Sequence, residues 1–262
     1  MKIAVLGAQG FVGRNITEYL SIYHQVTPVT RDTINLLDPI AVRDFLKSNM
    51  FDVVVNCAAV MTDDTLLNDA RNNFGMFMNF YSNKDLFGKF INTASGAEFD
   101  RTTNINCALE SDIFNCMPND SYGWGQNMKA RICAQTDNFY NIRIFNCFGK
   151  GEIPTRIFPR FLNVGRLDIT NDRYFDYFSI QDLKTVVQNC VENSWDIKDV
   201  NAVYENKIKI SDALRLFCLN NELDPNFTIV SESCNNYTGS GLSLKTIGIE
   251  LQGLEQGFKE YI

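Results

Sequence analysis

The sequence predicts an α/β fold, a doubly wound parallel sheet joined to a smaller C-terminal lobe. Three observations carry this expectation. Short apolar runs alternate with longer helix-compatible segments as far as Gly149, the pattern of repeated βα units. The runs are continuously apolar, as strands covered on both faces are, with Asp52–Asn56 the clearest case. The first run, Ile3 to Leu6, ends at Gly7 and leads into a helix-compatible stretch, Arg14 to Tyr23.

The opening stretch reads MKIAVLGAQGFVG. Glycines directly after a strand, at 7, 10 and 13, describe a tight turn into a helix. Gly7 permits the turn, Gly10 lets phosphates approach the backbone, and Gly13 lets the helix pack closely on the strand. Free N–H groups and the positive end of the helix dipole then face an anion. In this position the motif is the pyrophosphate cradle of a Rossmann-like dinucleotide fold.

The remaining elements follow in order. Val26–Val29 reads as a strand, and Asp38 caps a helix from Pro39 to Lys47, with proline at its first position. After the strand Asp52–Asn56 comes a long helix, Thr65–Ser82, with Leu66, Leu67, Ala70, Phe74, Phe77 and Met78 on one side. Gly88–Thr93 is a strand, Tyr122–Thr136 a helix and Tyr140–Cys147 a strand. Beyond Gly149 the pattern loosens. Ile153–Leu162 reads as a helix, Tyr174–Ile180 as a strand, Asp182–Asn193 as a helix, and Lys209–Asn220 as a helix capped by Ser211. The expected division is a dinucleotide-binding domain over 1–150 and a mainly substrate-binding lobe over 151–262, with a segment around 174–193 returning to the first. The cleft between them is the expected substrate site.

Composition excludes several classes. A net charge of −7 argues against a nucleic-acid surface, which needs a basic stripe. No apolar run approaches the length of a membrane span. A strand starting at residue 2 leaves no room for a signal peptide, and the eight cysteines lie scattered without a CxxC pair. Both points favour buried free thiols in a reducing cytoplasm. The single histidine, His24, cannot make a metal site alone, and it reads as a solvated turn residue.

The motifs also stand in a telling order. The second strand ends Val29-Thr30-Arg31 and is followed by INLLD, ending at Asp38. The third strand ends Asn56-Cys57-Ala58-Ala59, and the fourth reads INTASGAEF with Ser95. Ser121-Tyr122-Gly123 and then RIFNCFG, with Asn146, follow. In this order the chain resembles the extended short-chain dehydrogenase/reductase family over roughly its first 185 residues. The resemblance is to the family's sugar-nucleotide 4-ketoreductases and epimerases, of the GDP-fucose synthase and dTDP-4-dehydrorhamnose reductase kind.

The resemblance implies roles. Tyr122 would be the general acid/base at a sugar hydroxyl or carbonyl, and Ser95 would steady the same oxygen. Gly7, Gln9, Gly10, Phe11, Val12 and Gly13 would hold the dinucleotide. Asp38 and Leu37 would lie near its adenine, Ala58 and Ala59 along the adenosine path, and Asn73 and Asn146 close by. An arginine rather than an acid after the second strand favours NADP, because Arg31 matches a 2′-phosphate; the adjacent Asp32 leaves NAD open. The resemblance further implies a homodimer through the helices Thr65–Ser82 and Tyr122–Thr136. The face Phe74, Met76, Phe77, Met78 and Phe80 suits that, or simple burial on the sheet.

Two positions depart from the family. It places lysine four residues after the tyrosine, where this chain has Gln126. Gln126 carries no charge to depress the phenol, although it retains the capacity to hydrogen-bond the nicotinamide ribose. Lys129, at i+7, returns to nearly the same helix face about 4.5 Å further along the axis, and is the expected replacement. The second departure lies in RYFDYFSIQDL. Aligning Asp182 with the family's last acid puts Phe175 where an arginine grips the substrate pyrophosphate. Arg173, Arg156 and Arg160 are the candidates to take over.

The expected function is NAD(P)-dependent reduction of a 4-keto nucleotide sugar, or the related epimerisation. Dehydratases of the family carry acids where this chain has Ala94-Ser95-Gly96. The alternative is a dinucleotide-binding sensor or scaffold without an activated tyrosine, which Gln126 favours and which Tyr122, Ser95 and Asn146 together oppose.

Overall fold

The computed structural model describes residues 1–60, 66–233 and 235–262, with Leu66 described by its backbone alone. Thr65 at the expected helix start, the Leu66 side chain and Cys234 lie outside the described residues. Strands β1 (Lys2–Leu6), β2 (Gln25–Val29), β3 (Val53–Asn56), β4 (Lys89–Ser95), β5 (Phe139–Ile144) and β6 (Asp199–Ala202) form one sheet, in the order β6-β5-β4-β3-β1-β2. Every pairing in it is parallel. The chain steps from β1 to β2 on one side and then to β3 on the other. The winding therefore reverses between β1 and β3, and the crevice beyond the carboxyl ends of those strands is where such sheets bind ligands.

Helices cover both faces, which is why the strands read as unbroken apolar runs. Helix α1 (Phe11–Leu20) and α6 (Ile180–Glu192) pack on one face, where Ile3, Val5, Ile16, Leu20, Leu183 and Val187 form a core. Helices α2 (Pro39–Asn49), α3 (Leu66–Tyr81) and α4 (Ser121–Ala134) cover the other, with Val42, Leu46, Phe77, Phe80 and Cys133 against Ala4, Leu6 and Phe90. Asp38 caps α2 as expected, its Oδ1 accepting from the Ile40 and Ala41 amides at 2.9 and 3.1 Å. A third core joins helix α5 (Ile157–Val164) to α7 (Ile210–Asn220) through Phe158, Phe161, Leu214 and Phe217.

A buried polar ladder crosses four of the strands. Asn56, Asn92, Asn141 and Asp199 are register partners on β3, β4, β5 and β6. Asn56 donates to Asn92 at 2.9 Å, Asn92 to Asn141 at 2.8 Å, and Asn141 to Asp199 at 3.1 Å. Arg143, fully buried on β5, donates to Asp199 at 2.6 Å, to Asn201 at 2.8 Å and to Glu98.

Several expectations are corrected. The helix expected at Ile153–Leu162 begins at Ile157. Pro154 disfavours helical backbone at Ile153, and Pro159 is tolerated only because it falls in the first turn. The strand expected over Tyr174–Ile180 is reduced to Phe178–Ser179, because Tyr174 and Phe175 bridge separately to Lys209 and Tyr237. The strand expected to reach Cys147 leaves the sheet after Ile144, and Cys147–Phe148 pairs with Phe178–Ser179 instead. Ser211 does not cap α7. It lies inside the first turn, and its amide and hydroxyl donate to Asp172 at 2.9 and 2.8 Å. Leu67 is exposed rather than facing the core, and the His24 side chain is only 10% exposed, 3.1 Å from Glu192. Strand β6 escapes the periodicity analysis because Asp199 and Asn201 are polar residues satisfied across the sheet.

Removing one partner from a buried ion cluster strands the others without water. Arg143→Met is expected to lower unfolding stability by about 3–5 kcal/mol in urea titrations. A loss no larger than that of an exposed ion pair would show that the cluster is not structural.

Candidate active site

The glycine turn is built as the sequence implies. Gly7 sits at φ +70, and a Cβ there would lie 2.7 Å from the Ala58 Cα. A Cβ on Gly13 would lie 2.2 Å from the Gly7 carbonyl oxygen, so only glycine lets α1 approach. A Cβ on Gly10 would meet only the Gly7 carbonyl oxygen, at 3.4 Å, and it would otherwise fill open space. No side chain caps α1, which leaves its first amides available. Beside the turn lies a cavity of about 660 Å³, lined in part by Gly7, Gln9, Gly10, Arg31, Leu37, Ala58 and Ala59. Uncapped amides, a cradle that a Cβ would fill and an apolar wall from Val29 and Ala58 fit a dinucleotide.

Other expected cofactor residues do not line that cavity. Phe11 and Val12 are half-buried against the core under the turn. Asp38 caps α2. Asn73 holds the loop after β3, accepting from the Val60 amide at 2.7 Å and donating to its carbonyl at 2.9 Å. Val60 does line the cavity, so Asn73 shapes the wall from behind.

Ser95 ends β4, and its Oγ accepts from the Ala97 amide at 3.2 Å at the start of a tight turn, Gly96–Glu98. Tyr122 is the second residue of α4, whose N-terminus is capped by Asp120 accepting from Gly123 at 2.8 Å. Arg101 donates to the other oxygen of Asp120 at 2.9 Å. Tyr122 lies beside both Ser95 and Gln126, near enough for each to act on its phenol. Burial raises the phenol above its ordinary range; Ser95, the Arg101 charge and Gln126 pull it down, and Glu98 pushes it up. Asn127 locks this helix to the turn by donating to the Glu98 carbonyl at 2.8 Å.

Lys129, the expected replacement for the missing lysine, is not among the groups that act most on the Tyr122 phenol. It shares the helix face but runs into the interior, where it is 4% exposed. Burial lowers it to about 8, with Glu98 and Cys133 opposing the fall. The cation acting on Tyr122 is Arg101, from a loop that carries no motif. Tyr237 was also beyond sequence reasoning. It lies in the divergent half, and its phenol oxygen stands over Gly96, the residue after Ser95, 2.6 Å from where a Cβ would be.

A second cavity, of about 290 Å³, is lined by Asn146, Arg156, Arg160, Phe175 and Tyr177 among others. Asn146 faces this cavity rather than the first, and it accepts from Arg156. Arg173 does not line it. Its guanidinium lies over the Phe175 ring at 5.5 Å and donates to the Asn235 carbonyl at 3.1 Å, and its buried Nε has no partner among the described residues. A further cavity of about 650 Å³ near Tyr204, Lys207 and Leu251 involves none of these residues.

A glycine cradle at the switch point and a Ser–Tyr pair at the carboxyl edge of the sheet define a dinucleotide-binding α/β protein of the short-chain dehydrogenase type. The chain belongs to the NAD dependent epimerase/dehydratase family, whose model matches residues 3–171. It is 28% identical over 166 residues to a dTDP-4-dehydrorhamnose reductase of Burkholderia thailandensis, a match spanning 60% of this chain and 55% of that one. The fold is similar to a dTDP-4-dehydrorhamnose reductase from Clostridium acetobutylicum, with a TM-score of 0.83, 19% identity and coverage of 100% and 98% of the two chains. It is also similar to a GDP-L-fucose synthetase from Naegleria fowleri bound to NADP, with a TM-score of 0.84, 14% identity and coverage of 99% and 90%.

Because Lys129 is spent on the interior, Lys129→Met is expected to leave kcat and the alkaline limb of its pH profile within about twofold of the parent. A collapse in kcat would return Lys129 to the reacting centre.

Proposed function

We propose that this chain is an NADPH-dependent reductase of a 4-keto nucleotide sugar. The observation that carries the reading is that Tyr122 and Ser95 stand together, at the carboxyl edge of a sheet that also carries the dinucleotide cradle. Gly7, Gln9, Gly10, Ala58 and Ala59 would hold the dinucleotide, and Arg31 would meet its 2′-phosphate. When bound, the nicotinamide supplies the hydride. Tyr122 donates its proton to the carbonyl oxygen as charge develops there, and Ser95 holds that oxygen in place. Gln126 keeps the phenol oriented without charge, and Arg101 stabilises the phenolate left behind.

The second cavity supports the substrate class. In a chain of net charge −7, Arg156 and Arg160 converge on one small cavity, with Arg173 behind Phe175. That is the charge a diphosphate requires. The fucose synthetase described above is bound to NADP, which agrees with the role given to Arg31. The binding-only alternative is not favoured, because Tyr122 keeps Ser95 and a cation, Arg101, acting on its phenol despite Gln126. A homodimer through α3 and α4 belongs to the same proposal, with Leu67 and Trp124 exposed there.

The direct test is loss of NADPH absorbance with a panel of 4-keto nucleotide sugars. Turnover by the parent, and a fall of about 10²–10⁴-fold in kcat for Tyr122→Phe, is the expected result. Binding of NADPH without consumption across the panel would overturn the reading. The sign of the Arg101 effect is also fixed. Reduction needs the neutral phenol, so activity falls as Tyr122 ionises at high pH. Removing a cation that favours the phenolate raises the phenol, and Arg101→Met should move the alkaline limb to higher pH. A limb that stays in place would remove Arg101 from the mechanism.

A further inference from the structure

Glu152 is a buried carboxylate that the reaction proposed above does not use. It is 8% exposed and stands in the loop between Cys147–Phe148 and helix α5, four residues before Arg156. Its Oε1 accepts from the phenol of Tyr261 at 2.6 Å. Tyr261 follows the helix Leu254–Lys259 and is itself buried. Its ring is set in the third core, with centroids 5.1 Å from Phe217 on α7 and 5.9 Å from Phe158 on α5. A ring packed against two helices holds its hydroxyl at a fixed point. A buried carboxylate needs such a partner, because desolvation without a hydrogen bond is costly. The pair therefore pins the loop to the core.

The same loop is also fixed near its start. A Cβ on Gly151 would lie 2.7 Å from the Arg14 guanidinium, so the backbone passes directly over the first turns of α1, the dinucleotide helix. The Glu152 amide donates to the Gly149 carbonyl at 3.2 Å, and the Arg156 amide to the Ile153 carbonyl at 3.1 Å. These two turns lead from α1 to Arg156. Arg156 stands at the start of α5 with extended backbone, and no side chain caps the helix there. The approach of the chain to Arg156 is thus set by the loop before it. The exposed Arg156 side chain then donates to the buried Asn146 in the wall of the arginine-lined cavity.

We propose that Glu152, anchored by Tyr261, is a positioning residue that fixes loop 149–156 so that Arg156 is presented to the diphosphate of the substrate. The gain is preorganisation. A loop ordered before the ligand arrives spares binding the entropy of ordering it. Glu152 acts through Arg156 and takes no part in hydride or proton transfer. The inference rests on the reading of the second cavity as a diphosphate site.

Tyr261→Phe removes the hydroxyl and keeps the ring in the core. By calorimetry, with dTDP and GDP as probes, the nucleotide that the parent binds is expected to bind about tenfold more weakly. In turnover, KM for the nucleotide sugar should rise by a similar factor, with kcat and NADPH affinity within about twofold of the parent. Glu152→Ala should reproduce this loss, and Glu152→Gln, which keeps an acceptor oxygen for Tyr261, should retain parent affinity. In the background of Arg156→Met, Tyr261→Phe should have no further effect, because both act through one guanidinium. Unchanged nucleotide affinity in Tyr261→Phe, an equal fall in NADPH affinity, or independent multiplication of the losses in the double variant would overturn the proposal. Hydrogen exchange supplies a readout without nucleotide: the 149–156 amides should exchange faster in Tyr261→Phe, and unchanged protection would sink the idea. Failure of the parent to bind either nucleotide would defeat the diphosphate reading, and the exchange rates would still decide whether Tyr261 and Glu152 fix the loop.

Discussion

The buried guanidinium of Arg143 is the interaction on which the rest of the site depends. It holds Glu98 and Asp199 together in the interior, and burial drives the Glu98 carboxyl up to about 7 against the pull of Arg143. Such clusters add little net stability compared with an apolar core, but they tolerate only one arrangement of their members. Here that arrangement has a reach. Glu98 closes the turn that begins at Ser95, and its carbonyl accepts from Asn127, the residue after Gln126. Asn141 and Asn92 carry the same network back to Asn56 at the end of β3, two residues before Ala58. The serine, the tyrosine helix and the dinucleotide crevice are thus referenced to one buried charge.

That network also explains the fate of the cations. Lys129 lies buried in the same helix, where Glu98 opposes the loss of charge that its burial favours. The charge at the tyrosine comes instead from Arg101, fastened by Asp120, the residue that caps the same helix. Helix capping and phenol electrostatics therefore share one carboxylate. The neutral Gln126 becomes intelligible in this setting. It stands beside the phenol as a neutral polar group where the family has a charge, and the charge comes from Arg101.

Much of the first half was legible because its signals are local. The strand, the glycine turn, the Asp38 cap and the apolar face of α3 each depend on residues within one or two turns of each other. The second half was read less well for a physical reason. Tyr174, Phe175 and Phe178 each bond to a different segment, so no periodicity marks them as a strand. Asp199 and Asn201 look like loop residues until their partners on β5 are known.

The sequence by itself determined the family, the dinucleotide turn and the Ser95–Tyr122 pair, because backbone geometry and motif order are written in neighbouring residues. The tertiary structure alone decided which cation acts on Tyr122, that Asn146 faces the arginines, and that the Tyr237 phenol stands over Gly96. Those outcomes turn on burial and through-space distance between segments far apart in the chain. A helical spacing names the face a lysine shares, but only the packing of distant segments decides how deeply it is buried.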